Sequence, residues 1–304
     1  MLSYEHAYHA GNHADILKHL TLTLILKRLL QKEKPFTVYD SHAGLGWYDL
    51  TDLRAKKTNE AESGLKKLLE ARKNTQDLSD AADEVRQIIA PYLSLCRLYA
   101  EQELYPGSPE IARCLLRPSD TLILSELHPQ AIERLRENMK MPPLAVTQKE
   151  SYVRAKVHYR NGFEMLRALT PPATKRGCAL IDPSFEEAAD FYDCADTICA
   201  VHERWQNGII ALWYPLLKHR SRESVRMKQT IISCAEGMQS DPKVLDIQLA
   251  IQSPEEKTGL AKLYGSGMLV VNFPYQLDEQ MKAVLPWLAN ILGNENAGWS
   301  VESF

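Results

Sequence analysis

Three features that assign a chain to a specialised class are missing from this sequence. No apolar run approaches the roughly 18 residues of a membrane-spanning helix, and residues 1–15, which are rich in histidine, lack the apolar segment of a secretory signal. Six cysteines are dispersed along 304 residues without a CxxC pair, so reduced core thiols are expected rather than disulfides or structural zinc. We therefore expect a cytoplasmic protein that makes no membrane contact.

An excess of positive charge is also missing. The chain has 36 Lys and Arg against 39 Asp and Glu, which gives a formal charge of −3 at pH 7. A surface of this composition does not attract phosphate as a whole, so a nucleic-acid partner requires a local basic patch. No internal repeat and no low-complexity tract is visible, which excludes solenoid and disordered classes.

The composition that remains is globular, with 45% hydrophobic and 25% charged residues. Short apolar runs alternate with longer segments of helical period, and this predicts an α/β sheet with crossover helices. The first five runs, separated by helices, should be parallel strands, and the last two should form an antiparallel hairpin. The seven runs lie at 36–40, 121–126, 156–160, 178–182, 209–214, 244–251 and 268–272.

Residues 50–104 interrupt this alternation. They are charged and rich in Ala and Leu, with helical spacing and no convincing strand. We interpret them as a helical insertion after the first strand, within one domain that spans residues 1–304.

A candidate cofactor loop follows the first strand. The segment Asp40-Ser41-His42-Ala43-Gly44-Leu45-Gly46 is an acid followed by a turn of small residues. In a doubly wound sheet this places flexible backbone where nucleotide-like cofactors bind, although a simple tight turn is the alternative. Glu126, at the end of the second strand, is a candidate for binding ribose hydroxyls, or else a solvated loop residue.

The most informative segment is Ile181-Asp182-Pro183-Ser184-Phe185. It is similar to the (D/N/S)PP(Y/F/W) signature of amino-group methyltransferases, with Ser184 in place of the second proline. Asp182 and the Pro183 carbonyl would accept hydrogen bonds from the exocyclic amine of adenine, and Phe185 would stack on the extruded base. An Asp-Pro turn beside a core Phe is the alternative.

A second tetrad, Asn272-Phe273-Pro274-Tyr275, fits the same loose pattern. Strand order favours the first tetrad, because Asp182 ends the fourth parallel strand beside the cofactor crevice. Asn272 should end the hairpin near the sheet margin, and we interpret it as a structural turn.

Several further motifs occur in an order typical of one family, from the first residues almost to the last. These motifs and their order resemble those of the RlmJ-type 23S ribosomal RNA adenine-N6 methyltransferases. Members of this family have also been labelled as proteins for catabolism of external DNA. The motifs are Met1-Leu2-Ser3-Tyr4, His9-Ala10-Gly11-Asn12-His13-Ala14-Asp15, Leu17-Lys18-His19, Asp40-Ser41-His42-Ala43-Gly44, Tyr105-Pro106-Gly107-Ser108-Pro109, Glu126-Leu127-His128-Pro129, Ile181-Asp182-Pro183, Ala211-Leu212-Trp213-Tyr214-Pro215 and Ser266-Gly267-Met268.

The resemblance implies a Rossmann-like, seven-stranded methyltransferase sheet that uses S-adenosyl-L-methionine and acts on 23S ribosomal RNA as a monomer without a metal ion. Asp182, Pro183 and Phe185 would be the catalytic residues. Lys18 would face the methionine carboxylate of the cofactor, a surface lysine on a helix at 15–30 being the alternative.

The remaining cofactor contacts implied by the resemblance are distributed along the chain. His42 and Gly44 would line the cofactor loop, unless His42 is a neutral turn histidine. Ser108 would contact the cofactor and act as an N-cap, with Pro109 at the first helical position. Glu126 would hold the ribose.

Asn161 with Gly162 would meet the adenine of the cofactor. The family usually has aspartate at position 161, but an amide can still hydrogen-bond the adenine amino group; an Asn-Gly turn is the alternative.

For RNA, two contacts are expected. Tyr4 would reach the substrate, an exposed tail tyrosine being the alternative. Residues 218–228 contain five Lys or Arg against one acid, and Lys218, Arg222 and Arg226 follow at i, i+4 and i+8 on one face of a predicted helix. This face could position phosphates, or it could be an ordinary solvated face.

Three functions follow from these observations. The first is N6-methylation of an adenine in 23S ribosomal RNA, because RNA recognition usually targets unpaired bases. The alternatives are a nucleic-acid-binding protein for uptake of external DNA, with transfer impaired by Ser184, and a DNA adenine-N6 methyltransferase. His6, His9, His13 and His19 with Asp15 have the side-chain types of a metal site. Transfer from a sulfonium needs no Lewis acid, so loop contacts near the active site are expected instead.

Overall fold

A central sheet of eight strands organises the protein. It is seen in a computed structural model that describes residues 6–71, 80–146, 152–238, 242–255 and 263–304. The strands are β1 (Thr37–Asp40), β2 (Trp47–Asp49), β3 (Leu104–Pro106), β4 (Thr121–Glu126), β5 (Ala155–Tyr159), β6 (Gly177–Ile181), β7 (Ile209–Leu216), β8 (Val244–Ala250), β9 (Gly265–Val271) and β10 (Gly298–Ser303). Their order in the sheet is β10-β8-β9-β7-β6-β1-β4-β5, while β2 and β3 form a separate ribbon.

The helices are α1 (His13–Leu30), α2 (Leu53–Thr58), α3 (Lys67–Ala71), α4 (Asp80–Ala100), α5 (Ser108–Leu115), α6 (Pro129–Lys140), α7 (Gly162–Leu169), α8 (Ala188–Arg204), α9 (Ser221–Met238) and α10 (Leu277–Leu292). A π-helical turn, Glu62–Lys66, precedes α3. Helices cover both faces of the sheet, which explains why β1 and β6 are buried at every position.

The predicted strand directions are confirmed. β1 pairs in parallel with β4 and β6, β4 with β5, and β6 with β7. β9 runs antiparallel to both β7 and β8, which is the predicted hairpin.

Three strands were missed by the sequence-based prediction. β10, which adds an eighth strand antiparallel to β8, is largely polar and only partly buried, so it lacks a clear alternating pattern. β2 and β3 have three residues each and bracket the helical insertion, too short for periodicity to reveal them.

The long helix α1 differs from the expected amphipathic surface helix. It contacts β9 on the sheet as well as α4, α5 and α10, and most of its residues are buried. Because neighbouring elements enclose it, polar positions of the helix are buried together with apolar ones. Lys18, at 3% exposure, is consequently a buried residue and not a surface lysine.

Asn272 is a structural turn, as predicted, but for a different reason. β9 lies inside the sheet between β7 and β8, not at its margin. Because β9 is antiparallel to β7, with Val271 opposite Ile210, its carboxyl end lies at the edge where β7 begins. Asn272 has φ +55° and donates from Nδ2 to the carbonyls of Gln206 (2.8 Å) and Gly208 (2.7 Å).

Two further properties of the chain bear on its class. No helix among the described residues is long and apolar enough to cross a membrane. The six cysteines all fall in the described ranges, and each is a free thiol.

Candidate active site

A cavity of about 830 Å³ opens at the carboxyl ends of β1, β4 and β6. The strand order reverses at β1, which is paired with β4 on one side and β6 on the other, and ligands of open α/β sheets bind at such a switch point. The volume is typical of a small-molecule site. The predicted site residues that line the cavity are Lys18, His42, Gly44, Ser108, Glu126, Asn161, Gly162, Asp182 and Pro183.

Asp182 enters the cavity directly after β6 and is ion-paired with a buried lysine. Lys18 Nζ lies 2.5 Å from Asp182 Oδ2 and 2.9 Å from Asp15 Oδ1. Burial alone would lower the pKa of Lys18, but the carboxylates of Asp15 and Asp182 outweigh it and raise the pKa above its ordinary value. Lys18 is therefore a fixed cation between two carboxylates. Its ammonium group contacts the predicted catalytic acid.

Asp15 connects this ion pair to the N-terminal segment. Its side chain is 1% exposed, and its Oδ2 accepts from His6 Nε2 at 3.0 Å and from the Gly11 amide at 2.9 Å. Burial would raise the pKa of Asp15, but electrostatic interactions with His6, Lys18 and His19 and the hydrogen bond from His6 hold it well below the usual range. The histidine-rich segment is thus held by hydrogen bonds beside the cavity; His9, for example, bonds Glu60 at 2.9 Å.

Glu126 closes the opposite side of the cavity. Its Oε2 accepts from the Gly44 amide at 2.8 Å, and its Oε1 accepts from the amides of Leu127 (2.8 Å) and His128 (2.7 Å). Burial raises the pKa of this carboxyl, against the lowering effect of the three amides. The side chain is therefore fixed in position by the loop after β1 and by the residues that precede α6.

Glycine is required where α7 meets the loop after β1. A Cβ on Gly162 would lie 2.0 Å from the Ser41 carbonyl oxygen, so no side chain fits there. Gly44 has φ +58°, a conformation that other residues rarely adopt. These two glycines bring the backbone of the loop and the helix close together around the cavity.

Asn161 is the N-cap of α7. Its Oδ1 accepts from the amides of Phe163 (2.9 Å) and Glu164 (3.1 Å). The capping role uses the amide oxygen, so the Nδ2 group of this cavity-lining residue remains a potential donor.

Ser108 is not the N-cap that the sequence predicted. The N-cap of α5 is Gly107, and Ser108 is the first helical residue. Its hydroxyl is instead hydrogen-bonded to Asp40, the buried acid at the end of β1. Burial raises the pKa of Asp40 to about 7; the Ser108 hydrogen bond opposes this rise and the Asp182 carboxylate adds to it.

His42 lies on the cavity wall in a restrained position. Its Nδ1 is 2.7 Å from the Ser41 hydroxyl, and its ring packs edge-on against Phe163 at 5.2 Å. Burial lowers the pKa of His42 to about 4, with Asp182 opposing the shift, so the ring is neutral at pH 7.

The predicted stacking of Phe185 on the extruded base does not fit its position, because Phe185 lies behind the cavity rather than on its surface. The side chain is 3% exposed and packs against Phe191 (4.6 Å between ring centroids) and Trp213 (5.9 Å). Its φ of +52° is unusual for a bulky residue and turns the chain sharply after Asp182-Pro183-Ser184.

The predicted RNA-binding residues are only partly on one helix. Arg222 and Arg226 are exposed on α9, but Lys218 precedes this helix in a 3-10 turn. The Nζ atom of Lys218 lies 3.5 Å from Oε1 of Glu255. The i, i+4, i+8 arrangement was therefore wrong for Lys218, because the chain turns between Leu216 and Ser221 before α9 begins. Tyr4 lies outside the described residues.

Sequence reasoning missed several cavity residues. Trp47 and Asp49 line it from β2, and Arg134 and Asn138 from α6. Asp15 was noted only as part of a histidine cluster, although its position three residues before Lys18 on α1 was a usable signal.

Comparisons with known proteins agree with this geometry. The sequence model of the family described as "Ribosomal RNA large subunit methyltransferase D, RlmJ" matches residues 33–304. The chain is 36% identical over 310 residues to "Ribosomal RNA large subunit methyltransferase J" of Escherichia coli strain K12, covering 99% of each chain. It is 35% identical to the protein of the same name from Haemophilus influenzae, covering 99% of this chain and 98% of the relative. A crystal structure of a Legionella pneumophila protein superposes with a TM-score of 0.80 at 29% identity, over 97% of this chain and 98% of that one.

Proposed function

This chain belongs to the ribosomal RNA large subunit methyltransferase family of the RlmJ type, and from this premise we propose that it methylates N6 of an adenine in 23S ribosomal RNA with S-adenosyl-L-methionine as the donor. The observation that carries the proposal is the position of Asp182. Asp182 lines the same cavity as Glu126 and the Gly44 loop, and its carboxylate is held in place by the ion pair with Lys18.

The residues present fit such a donor. The cavity is large enough for a nucleoside with an amino-acid tail. Glu126 would accept hydrogen bonds from ribose hydroxyls, Asn161 and Gly162 would meet the adenine end, and the Gly44 loop with His42 and Ser108 would enclose the middle. Neutral His42 adds no positive charge beside a cationic donor.

When bound, the cofactor supplies a methyl group on a sulfonium. The chain supplies orientation. Because Lys18 occupies Oδ2 of Asp182, Oδ1 is left to accept from one N–H of the target amine, and the carbonyl of Pro183 can accept from the other. This pair of acceptors would turn the amine lone pair toward the methyl group, and Oδ1 is placed to take the proton released after transfer.

Other parts of the proposal concern organisation. We propose that residues 50–104 are a helical insertion within one methyltransferase domain, since its bracketing strands β2 and β3 pair with each other and its first residues, Asp52 and Arg54, line the cavity. Lys218, Arg222 and Arg226 would neutralise RNA phosphates, and Phe185, packed against Phe191 and Trp213, would hold the Asp182-Pro183-Ser184 turn in place. We further propose a cytoplasmic monomer that needs no metal ion, because methyl transfer from a sulfonium requires no Lewis acid. The alternative of a DNA-catabolism protein is not favoured, since the named relatives are ribosomal RNA methyltransferases.

The test is transfer of a tritiated methyl group from S-adenosyl-L-methionine to 23S ribosomal RNA that lacks the modification, with genomic DNA as the competing substrate. We expect label in RNA, recovered as N6-methyladenosine after digestion, and none in DNA. Asp182→Ala should reduce transfer at least 100-fold, about the contribution of a positioned proton acceptor. Asp196→Ala, which removes an exposed carboxylate from α8, is the control and should keep full activity. Label in DNA alone, or full activity in Asp182→Ala, would contradict the proposal.

A further inference from the structure

An exposed aromatic side chain lies at the rim of the cavity. Tyr192 is 46% exposed on the first turns of α8, the helix that follows the Asp182 loop. Asp190 and Asp193, on either side of it in sequence, line the cavity, while Phe191 and Cys194 are buried and fix the rotation of the helix. Tyr192 is therefore held facing solvent next to the entrance.

An arginine from the neighbouring helix covers this ring. The guanidinium carbon of Arg226 lies 5.5 Å from the centroid of Tyr192, and α8 packs against α9. Within the described part of the chain neither Arg226 nor Arg222 has a carboxylate partner. Val225, beside Arg226, is 48% exposed. The rim thus combines a flat aromatic ring, an uncompensated cation and an apolar side chain.

The charges around Tyr192 determine what could bind there. The carboxylates of Asp190 and Asp193 at the cavity mouth would repel a phosphate group. A nucleobase carries no such charge, and unpaired bases stack on tyrosine rings and on arginine planes. Phosphates would instead meet Arg222 and Arg226 on the neighbouring helix α9.

We propose that Tyr192 and Arg226 form a stacking platform for an unpaired nucleotide that flanks the target adenine in the RNA substrate. The inference rests on the proposed function, because it takes RNA as the partner at this rim. Tyr192 is a specificity and positioning residue for RNA and has no part in holding the cofactor.

The chain contains a matched control for this pair. Tyr275 is 69% exposed, and the guanidinium carbon of Arg28 lies 5.1 Å from its ring centroid. The two Tyr and Arg pairs have similar geometry, but Tyr275 follows β9 at the opposite edge of the sheet from the cavity. Removing either tyrosine has a similar chemical effect, and only one of them lies beside the proposed RNA path.

The experiment compares Tyr192→Ala, Tyr192→Phe and Tyr275→Ala in two assays. One measures the Kd for 23S ribosomal RNA by filter binding without cofactor, and the other measures kcat and KM for methyl transfer. Tyr192→Ala should raise both Kd and the KM for RNA about tenfold, the usual loss of one stacked base, with kcat and the Kd for S-adenosyl-L-methionine unchanged. Tyr192→Phe keeps the ring and should remain within about twofold of the wild type, as should Tyr275→Ala.

Two results would overturn the platform: equal RNA affinity in Tyr192→Ala and Tyr275→Ala, or a fall in kcat with KM unchanged, which indicates a structural role. If Tyr192→Ala does not fold, Tyr192→Leu keeps the apolar bulk without the ring and should show the same tenfold loss. If the wild type methylates RNA but Tyr192→Ala has an unaltered Kd for RNA, the platform is refuted and the proposed function stands. Absence of methylation by the wild type would refute the proposed function, and the platform would then be judged by the Kd values.

Discussion

Lys18 shows how one buried side chain joins distant parts of the chain. Its side chain is 4% exposed, and the ammonium group lies between the carboxylates of Asp15 and Asp182, which are 1% and 14% exposed. Removing one partner from a buried ionic cluster leaves the other charges without compensation, and this is far more destabilising than losing a surface pair. The lysine therefore affects both stability and the predicted catalytic acid.

Lys18→Met should lower the free energy of unfolding by about 3–5 kcal/mol, because two carboxylates lose their cation. It should also reduce methyl transfer at least tenfold, since Asp182 loses the partner that fixes its orientation. Urea denaturation and the tritium assay measure the two effects. Lys66→Met is the control: Lys66 is half exposed and paired with Glu62, so the change should cost less than about 1 kcal/mol. Equal losses in the two variants would refute the buried cluster.

Asp40 gives a pH-dependent prediction at the same scale. Burial raises the pKa of this carboxyl to about 7, well above its value in an unfolded chain of about 4. Between these two values the folded protein binds a proton that the unfolded chain does not, so this group's contribution to stability decreases as pH rises from about 4 to about 7.

Asp40→Asn should remove that contribution, because asparagine stays neutral and still accepts the hydrogen bonds of the site through its amide oxygen. The Tm of the variant minus that of the wild type should therefore increase as pH rises from about 4 to about 7 and then level off. Calorimetry across this range provides the measurement. A difference in Tm that is constant with pH would mean that folding does not raise the pKa of Asp40.

At the scale of secondary-structure elements, the approach of α7 to the loop after β1 is a very tight contact in the cavity wall. The Gly162 position has room for hydrogen only, because a Cβ there would lie 2.0 Å from the Ser41 carbonyl oxygen. Any side chain would push the start of α7 away from the loop. Asn161, the N-cap of α7, would be displaced together with the helix.

Gly162→Ala should lower the free energy of unfolding by about 1–3 kcal/mol, the cost of overpacking, and should weaken cofactor binding at least tenfold. Gly237→Ala, in α9, is the matched control because a Cβ there meets nothing within 4 Å. That change should stabilise the protein by about 0.5–1 kcal/mol through helix propensity. Unfolding curves and calorimetry with S-adenosyl-L-methionine compare the two. Unaltered cofactor affinity in Gly162→Ala would remove this contact from the site.

The direction of one strand explains why two similar tetrads lie in different surroundings. Asp182 follows the parallel strand β6 and enters the cavity, whereas Asn272 follows the antiparallel strand β9 and lies at the other edge of the sheet. The carboxyl ends of antiparallel neighbours point to opposite edges. Sequence similarity between the tetrads therefore carries no information about which of them can reach a ligand.

At the scale of the whole molecule, the cavity exists only when the chain is folded. Its walls come from α1, from the loops after β1, β4 and β6, and from the start of α7, which are far apart in sequence. A ligand of this cavity should therefore bind the folded state alone and stabilise the whole protein by mass action.

S-adenosyl-L-methionine at 100 times its Kd should raise the free energy of unfolding by about 2.7 kcal/mol, with a corresponding increase in Tm. Thermal denaturation at several cofactor concentrations measures the effect. Methionine alone, at the same concentration, lacks the nucleoside and should give a smaller shift. A Tm that does not change with S-adenosyl-L-methionine would contradict cofactor binding in this cavity.

Local patterns were enough to predict most of the fold. The runs 121–126 and 162–169 agree with β4 and α7, because strand and helix periods and their end signals are encoded in neighbouring residues. β10 was missed because its polar sequence owes its strand conformation to pairing with β8. The helical interpretation of 218–228 failed at Lys218 because a turn separates it from α9.

The sequence by itself determined most of the strands and helices and the acids at the carboxyl ends of β1, β4 and β6, because these depend on interactions between residues close in the chain. Only the tertiary structure decided which partners those acids have. Lys18 and Asp182 are 164 positions apart and meet in a buried ion pair, and the ring of Phe185 turns inward against Phe191 and Trp213. Such contacts arise from the direction of strands and the packing of helices across the sheet, and no local pattern encodes either.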